Sequence, residues 1–294
     1  MRLRTLPPLL VAAALLAAAC GGSYSTRRAS SALDFLYPGG AGSGEPAQSV
    51  TLKLPVRVGI AFAPAGDGYA QYGADPVPES LKQDLLEKVA AAFRSHEGIG
   101  RIEVVPSHYL KPGGGFTNLG QLASTLGLDL AVLVSYDQVQ ITESSRASWT
   151  YLTVVGPLLI EGEKNDTRTV MDAIVYDIPS HALLFRAAGD SKVNERSSPL
   201  NEARTRRRMA EEGFAKATTD LITNLDTALA GFEEQAKSGT VRGAGTPAIA
   251  MYDKSGKQIG GGGTNGGGAG ALGAGALAAV ALLAGAALAG RRRR

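Results

Sequence analysis

A single thiol, three imidazoles and a run of glycines are the groups in this chain whose type and position could do chemistry. The thiol is Cys20, the only cysteine among 294 residues, so it forms no disulfide within the molecule. It closes a stretch in which Arg2 and Arg4 precede an apolar run from Leu6 to Leu16, followed by Ala17, Ala18 and Ala19. That order is a secretory signal, with a basic start, an apolar middle and a small-residue cleavage site. A lone cysteine in this position reads as a bacterial lipoprotein acceptor whose thiol is acylated. The usual acceptor motif has Leu three residues before the cysteine; here Ala17 stands there, with Leu16 one residue further back. Ala17 and Ala19 also form an ordinary A-x-A site, which would leave simple secretion and a free thiol as the alternative.

The imidazoles are His96, His108 and His181, and no H-x-x-x-H or H-E-x-x-H spacing joins them, so a zinc site has little to build on. Each reads as a surface or turn group. Asp34, Asp137, Glu143, Glu161 and Glu163 are scattered carboxylates, and spacing pairs no two of them as acid and base. Neither a G-x-S-x-G elbow nor a G-x-x-x-x-G-K-[ST] loop occurs. "GDGYAQYG" (66–73) follows the first strand of the body but is not G-x-G-x-x-G. Pro76 and Pro78 then delay the helix whose N-terminus a phosphate would need. No catalytic residue, cofactor or metal ligand is therefore expected. A hydrolase assembled only in three dimensions is the alternative, marked by a His clustered with a carboxylate or Ser in a pocket.

The elements that would position these groups form one α/β domain, expected over 50–237. Val56, Val58, Ile60 and Phe62 alternate as a half-buried strand. In "ESLKQDLLEKVAAAFRSHEG" Ser80 is the expected N-cap with Gln83 three residues on, and Leu81, Leu85, Val89 and Phe93 share one face. A strand over Arg101 to Val105, a helix from about Asn118 to Leu126 stopped by Gly127, and a strand from Leu130 follow. Three further strands are expected in "SWTYLTVVGPLLIEGE", "TRTVMDAIVYDI" and "HALLFRAAG", the last two joined as a hairpin. A long helix over Asn201 to Lys237, which Gly213 could divide, closes the domain. The expected architecture is a single α/β sandwich with a mixed sheet in the order β-α-β-α-β-β-β-β-α. In element order it resembles the small periplasmic domains of the curli-secretion and penicillin-binding-protein activator lipoproteins. On the last helix, "RTRRRMAEE" is expected to pair Arg207 with Glu211 and Arg208 with Glu212 across one turn.

Outside the domain, 1–20 is the signal peptide and 21–49 is expected as a tether. Within that tether, Leu33, Phe35, Leu36 and Tyr37 read as packing back on the domain, with a docking peptide as the alternative. The stretch 238–270 is expected as a glycine-rich linker, with glycine at eight of the eleven residues from Gly260 to Gly270. The tail is 271–294. Nineteen residues from Ala271 to Ala289 are only Ala, Leu, Val and Gly. As a helix that run would be roughly 28 Å long, about one bilayer core. Ten are Ala and three are Gly (Gly273, Gly275, Gly285), which makes a weak spanner that unwinds easily. Arg291 to Arg294 would stay cytoplasmic and leave everything before Ala271 on the far side.

The formal charge of +3 comes from these ends. Setting aside Arg2, Arg4 and the four terminal arginines leaves 24 basic residues against 27 acidic, a body at −3. Nucleic-acid binding loses its main support.

Glycine cluster, weak apolar helix and terminal arginines in "GGGGTNGGGAGALGAGALAAVALLAGAALAGRRRR" resemble the GlyGly-CTERM sorting signal, the tail recognised by rhombosortase, an intramembrane protease of the rhomboid family. Together with the lipoprotein-like start, the chain resembles the rhombotarget lipoprotein family. The resemblance implies a protein that is itself the substrate of signal peptidase, the acylation machinery and a rhombosortase-like protease, cut near Gly266, Gly267 and Gly268. It implies an exported, membrane-anchored lipoprotein of the bacterial envelope, in the outer membrane or at the cell surface. The body would be a non-enzymatic binding or assembly module with an unknown protein partner. A bitopic protein that keeps its tail and tethers two membranes is the other reading of the same ends.

Overall fold

Fifteen residues, Leu130–Ser144, form the strand around which the rest of the chain is arranged. The computed structural model describes residues 23–40, 49–65, 77–144, 163–198, 200–238 and 249–260. All of them belong to one compact unit, Met1–Gly262; the second, Gly263–Arg294, lies outside the described residues. In chain order the first unit contains β1 (Ser23–Ser30), α1 (Ala32–Leu36), β2 (Val50–Lys53), β3 (Val56–Phe62), α2 (Glu79–Arg94) and β4 (Ile99–Val105). There follow α3 (Gly115–Leu126), β5 (Leu130–Ser144), β6 (Glu163–Asp177), β7 (Ala182–Ser197), α4 (Glu202–Ser238), β8 (Ile249–Tyr252) and β9 (Gln258–Gly260). Among the described residues this is a mixed α/β fold with four helices.

The main sheet runs β4-β3-β5-β6-β7, and β1 joins it on β5. Strand β3 is parallel to β5 over Leu130 to Val134, and β1 takes the same edge antiparallel from Tyr136 to Glu143. Strand β6 pairs with all fifteen residues of β5, and β7 pairs with β6. A second, three-stranded sheet has the order β2-β8-β9, with β2 and β8 parallel.

Side-chain alternation decides which face each helix covers. Even-numbered positions of β5, among them Val132 and Val134, meet α2 through Leu85, Val89 and Phe93 and α4 through Leu221, Leu225 and Leu229. Odd-numbered positions Ala131 and Leu133 meet α1 through Phe35 and Leu36 and α3 through Leu119. Each large side chain fully removed from water here contributes about 1.5–3 kcal/mol. The α3 helix ends where expected, at Gly127 in the left-handed region (φ 67°), and Asn118 steadies its entry by accepting from the Lys111 amide (2.8 Å).

Helix α4 has 37 residues, roughly 55 Å at 1.5 Å per residue, and so runs the whole length of β5. Its C-terminal half sits on apolar core. Its N-terminal half sits on amides and hydroxyls. Gln138 Nε2 donates to Thr169 Oγ1 (2.7 Å) and to the Ala210 carbonyl (2.9 Å). One turn along, Gln140 Nε2 donates to Thr167 Oγ1 (3.1 Å) and to the Arg206 carbonyl (2.8 Å). Thr142 donates to Asn165 Oδ1 (2.9 Å), and Asn165 Nδ2 donates to Ser197 Oγ (2.8 Å). Arg206 then ties the helix to β1, donating to Tyr24 Oη (2.7 Å) with its guanidinium over the Tyr24 ring.

Several expectations need correction. The stretch 21–49 is not simply a tether, because β1 and α1 lie within it. "SYSTRRAS" carries no apolar period, since the strand is held by backbone pairing with β5 and by polar side chains. Phe35 and Leu36 of α1 are buried, as the packing reading required, while Leu33 is exposed. The stretch 238–270 is likewise not all linker, since β8 and β9 complete the second sheet. Helix α2 is capped by the Pro78 carbonyl, which accepts from Leu81 and Lys82, and Ser80 lies inside it. Gly213 does not divide α4. It lets the helix settle on the amide layer, where a Cβ would stand 2.9 Å from Thr169 Oγ1. Arg208 reaches across to Glu195 of β7, and Glu212 pairs with Lys216 (2.8 Å). The expected strand "SWTYLTVVGPLLIEGE" lies outside the described residues, apart from Glu163, which begins β6.

Candidate functional site

A cleft of about 540 Å³ opens at the end of the main sheet where β3, β4 and β5 begin, between that sheet and the smaller one. The elements meeting there explain its character. The last turn of α2 contributes Phe93, β7 contributes Phe185, the C-terminal half of α4 contributes Phe232, and β8 contributes Met251. Phe93 and Phe185 lie with centroids 6.5 Å apart, and Phe185 and Phe232 at 5.1 Å, so the floor is a run of three rings. An apolar, concave site with few polar groups suits a small apolar ligand or an apolar side chain of a partner.

The polar groups lining it are Ser95, His96, Glu97, Glu233, Lys237, Asp253 and Lys254. His96 follows the cap of α2 and Glu233 follows Phe232, which places His96 Nδ1 3.0 Å from Glu233 Oε1, both partly buried. Asp253 accepts from the Ser255 hydroxyl (2.6 Å) and from the Ser255 and Lys257 amides. These bonds, the Ser255 hydroxyl first, hold its carboxyl below the usual carboxylate range and form the turn between β8 and β9.

The His96–Glu233 pair is the grouping that would mark a hydrolase, and Ser95 lines the same cleft. The Ser95 hydroxyl, however, donates to the Ala92 carbonyl (2.8 Å) as part of the helix end. Among the described residues no side-chain nucleophile is hydrogen-bonded to the His96 imidazole. The pair as placed fastens the end of α2 to α4.

The other singled-out residues are dispersed. His108 stacks beside Tyr109 in a short 3₁₀ turn (4.7 Å between centroids), and His181 stands at φ 57° in the β6–β7 turn, stacked on Phe116 at 4.1 Å. Phe116 also meets Tyr37 and Tyr176 edge-on, each at 5.6 Å. Burial, helped by Tyr37, pushes the Tyr176 hydroxyl up to about 12. The Asp34 amide donates to Ser31 Oγ at the start of α1 (3.1 Å). Asp137 pairs with Arg27 (2.8 Å to Nε), and Glu143 lies exposed near the far end of β5. Among the described side chains, Asp34, Asp137 and Glu143 are not brought together as an acid and base. Among the described residues no three His, Cys, Asp or Glu side chains are grouped to hold a metal ion. Cys20, Glu161, the 66–73 loop and Gly266, Gly267 and Gly268 lie outside the described residues. Among the described residues no helix is long and apolar enough to cross a membrane, and 271–289 is not among them.

Sequence reasoning missed the cleft and the His96–Glu233 contact. Phe93 and Phe232 were legible only as core positions, and 137 residues separate His96 from Glu233.

No protein-family model matches the chain, and no curated protein matches it. Among solved structures it is similar to the Helicobacter pylori neuraminyllactose-binding hemagglutinin homolog, at 14% identity and a TM-score of 0.33, over 69% of this chain and 96% of that one. It is also similar to PelC, solved as a dodecamer from Paraburkholderia phytofirmans, at 12% identity and a TM-score of 0.27, over 71% of this chain and 98% of that one.

Proposed function

We propose that the chain is an exported bacterial envelope lipoprotein whose body is a non-enzymatic binding or assembly module. The observation that carries the binding reading is the aromatic-floored cleft. Phe185, backed by the buried rings of Phe93 and Phe232, lines an opening large enough for a small ligand or an inserted side chain, and His96, Glu233 and Asp253 at its rim are held in structural contacts. The ends carry the envelope reading: signal peptide and Cys20 at one, glycines, apolar run and arginines at the other. On this reading Cys20 is acylated, and a rhomboid-type protease cuts near Gly266 to Gly268, leaving the body at an outer surface. The mass of the mature chain tests that part.

The binding part is tested with an apolar fluorescent probe, N-phenylnaphthylamine, titrated into the full-length protein in detergent below its micelle concentration. Saturable binding is expected, weakened about tenfold by Phe185→Asp, which places a charge on the floor at a cost of about 1.4 kcal/mol. Arg168→Glu, at the other end of the sheet, should leave it unchanged. Absence of saturable binding, or equal effects of both changes, would contradict the reading.

One observation favours a hydrolase as a second reading, namely the His96–Glu233 pair beside Ser95 in the cleft. A screen of p-nitrophenyl acyl esters separates the two. Ester turnover lost in both His96→Gln and Ser95→Ala would establish the enzyme and overturn the non-enzymatic reading.

A further inference from the structure

Strand register sets four strand ends side by side at the end of the main sheet away from the cleft. Ser23 of β1 lies opposite Glu143 of β5, Glu143 opposite Lys164 of β6, and Lys164 opposite Arg196 of β7. The next rows on the same face are Ser25, Ile141, Asp166 and Asn194, then Arg27, Val139, Arg168 and Lys192. Helices α1 and α3 cover this face only further down, around Leu133, Ile174 and Tyr176. Over the last three rows no helix lies among the described residues.

Cations outnumber carboxylates there, although Glu143 faces Lys164 across β5 and β6. Lys164 stands directly opposite Arg196, and Arg168 directly opposite Lys192. Like charges in facing positions of neighbouring strands repel. Asp166 partly relieves the second pair, at 3.8 Å from Arg168 and 3.7 Å from Lys192. Lys164 and Arg196 are exposed and have no ion-pair partner among the described residues. Half-buried Val139 and Ile141 lie between these cations. Cations around half-buried apolar side chains, on a face that no described helix covers, suit a layer of anionic headgroups.

The covalent chain points to the same surface. Only Gly21 and Gly22 separate Cys20 from Ser23, so the two Cα atoms are at most about 11 Å apart at 3.8 Å per step. We propose that this end of the sheet, through Lys164, Arg168, Lys192 and Arg196, seats on the anionic headgroups of the membrane that holds Cys20. The proposal rests on the reading that Cys20 is acylated. Its consequence is orientation: the cleft, at the other end of β5, lies roughly 45 Å away at 3.3 Å per residue, facing the aqueous space.

The test uses the full-length protein reconstituted into vesicles of phosphatidylcholine and phosphatidylglycerol (7:3), or of phosphatidylcholine alone. Acylation blocks Cys20, so a cysteine introduced by Asn194→Cys, or by Lys254→Cys beside the cleft, is the one site for a fluorophore. Quenching by a headgroup-attached spin label is then read at each position. The expected result is strong quenching at 194 in anionic vesicles, weak quenching at 254, and loss of the difference in high salt. The double reversal Lys164→Glu with Arg196→Glu should weaken headgroup contact about tenfold or more. Equal quenching at both positions, equal quenching in neutral vesicles, or no effect of the double reversal would overturn the proposal. Intact mass recorded before labelling separates its failure from that of the parent reading. A chain lacking acyl groups is retested with Cys20→Ser, and quenching at 194 that persists there upholds the basic surface while removing the lipoprotein reading.

Discussion

The two halves of α4 rest on the same sheet and on the same face, yet on opposite chemistry. From Phe214 to Phe232 the helix buries Leu221, Leu225 and Leu229 against Val132, Val134 and Val175. From Glu202 to Ala210 it lies over Gln138, Gln140, Thr142, Asn165, Thr167 and Thr169, all buried and hydrogen-bonded. Apolar packing is tolerant of rearrangement and supplies most of the stability. A satisfied polar layer contributes only about 1 kcal/mol per bond, while a lost partner costs about 1–3 kcal/mol. The contrast suggests a division of labour. The apolar half holds the molecule together and carries the cleft, and the polar half fixes the register of the strand ends that bear the basic face.

Substitutions can break that contrast in order of expected effect. Leu225→Ala, in the apolar half at 0% exposure, should cost about 3–4 kcal/mol by cavity formation, read as a lowered denaturation midpoint. Gly189→Ala should cost about 2–3 kcal/mol, since a Cβ there would meet the Leu221 backbone nitrogen at 2.3 Å and the helix would have to lift off β7. Gln138→Leu should cost about 1–2 kcal/mol, because the Ala210 carbonyl and Thr169 lose their donor. Adding Thr169→Val should recover part of that loss, whereas pairing Gln138→Leu with Leu225→Ala should give nearly additive losses. If Gln138→Leu proved stabilising, the polar layer would have no part in specifying the strand ends.

The smallest effect is electrostatic and lies at the cleft end. Arg57 donates to Asp129 through its backbone amide (2.8 Å), Nε (3.0 Å) and a terminal nitrogen (2.8 Å). The guanidinium hydrogen bonds hold the Asp129 carboxyl below its ordinary value, and partial burial opposes them. With the folded value lower than the unfolded one, this contribution is complete above about pH 4 and fades as pH falls through the folded value. Asp129→Asn should therefore lower the neutral plateau slightly, leave stability below the folded value unchanged, and so flatten the acid side of the profile. An unchanged acid side would show that the pair is too exposed to matter.

How much of this was legible in the sequence follows from what each element leans on. Strand β3, helix α2 and helix α4 carry their own periods, because each buries a continuous apolar face, and α3 announces its end with Gly127. Strand β1 announces nothing: Arg27, Arg28 and Thr26 make sense only beside β5. The β2-β8 pair joins Val50–Lys53 to Ile249–Tyr252, a parallel contact across the whole domain that no local pattern encodes. The candidate site shares that difficulty. Phe93, Phe185 and Phe232 each read as core, and only the gap between the two sheets turns them into a floor. Gly213 misled for a physical reason as well, since its lack of a side chain serves close approach to Thr169 and not a break in the helix.

The most direct test of the central claim, a body delivered by two processed ends, is the intact mass of the mature protein extracted from its native envelope. The account predicts a chain that begins at Cys20 with added acyl chains and ends within the glycine-rich stretch before Ala271. A mature chain that still carries Arg291 to Arg294 would contradict it and would make the protein a membrane-spanning tether.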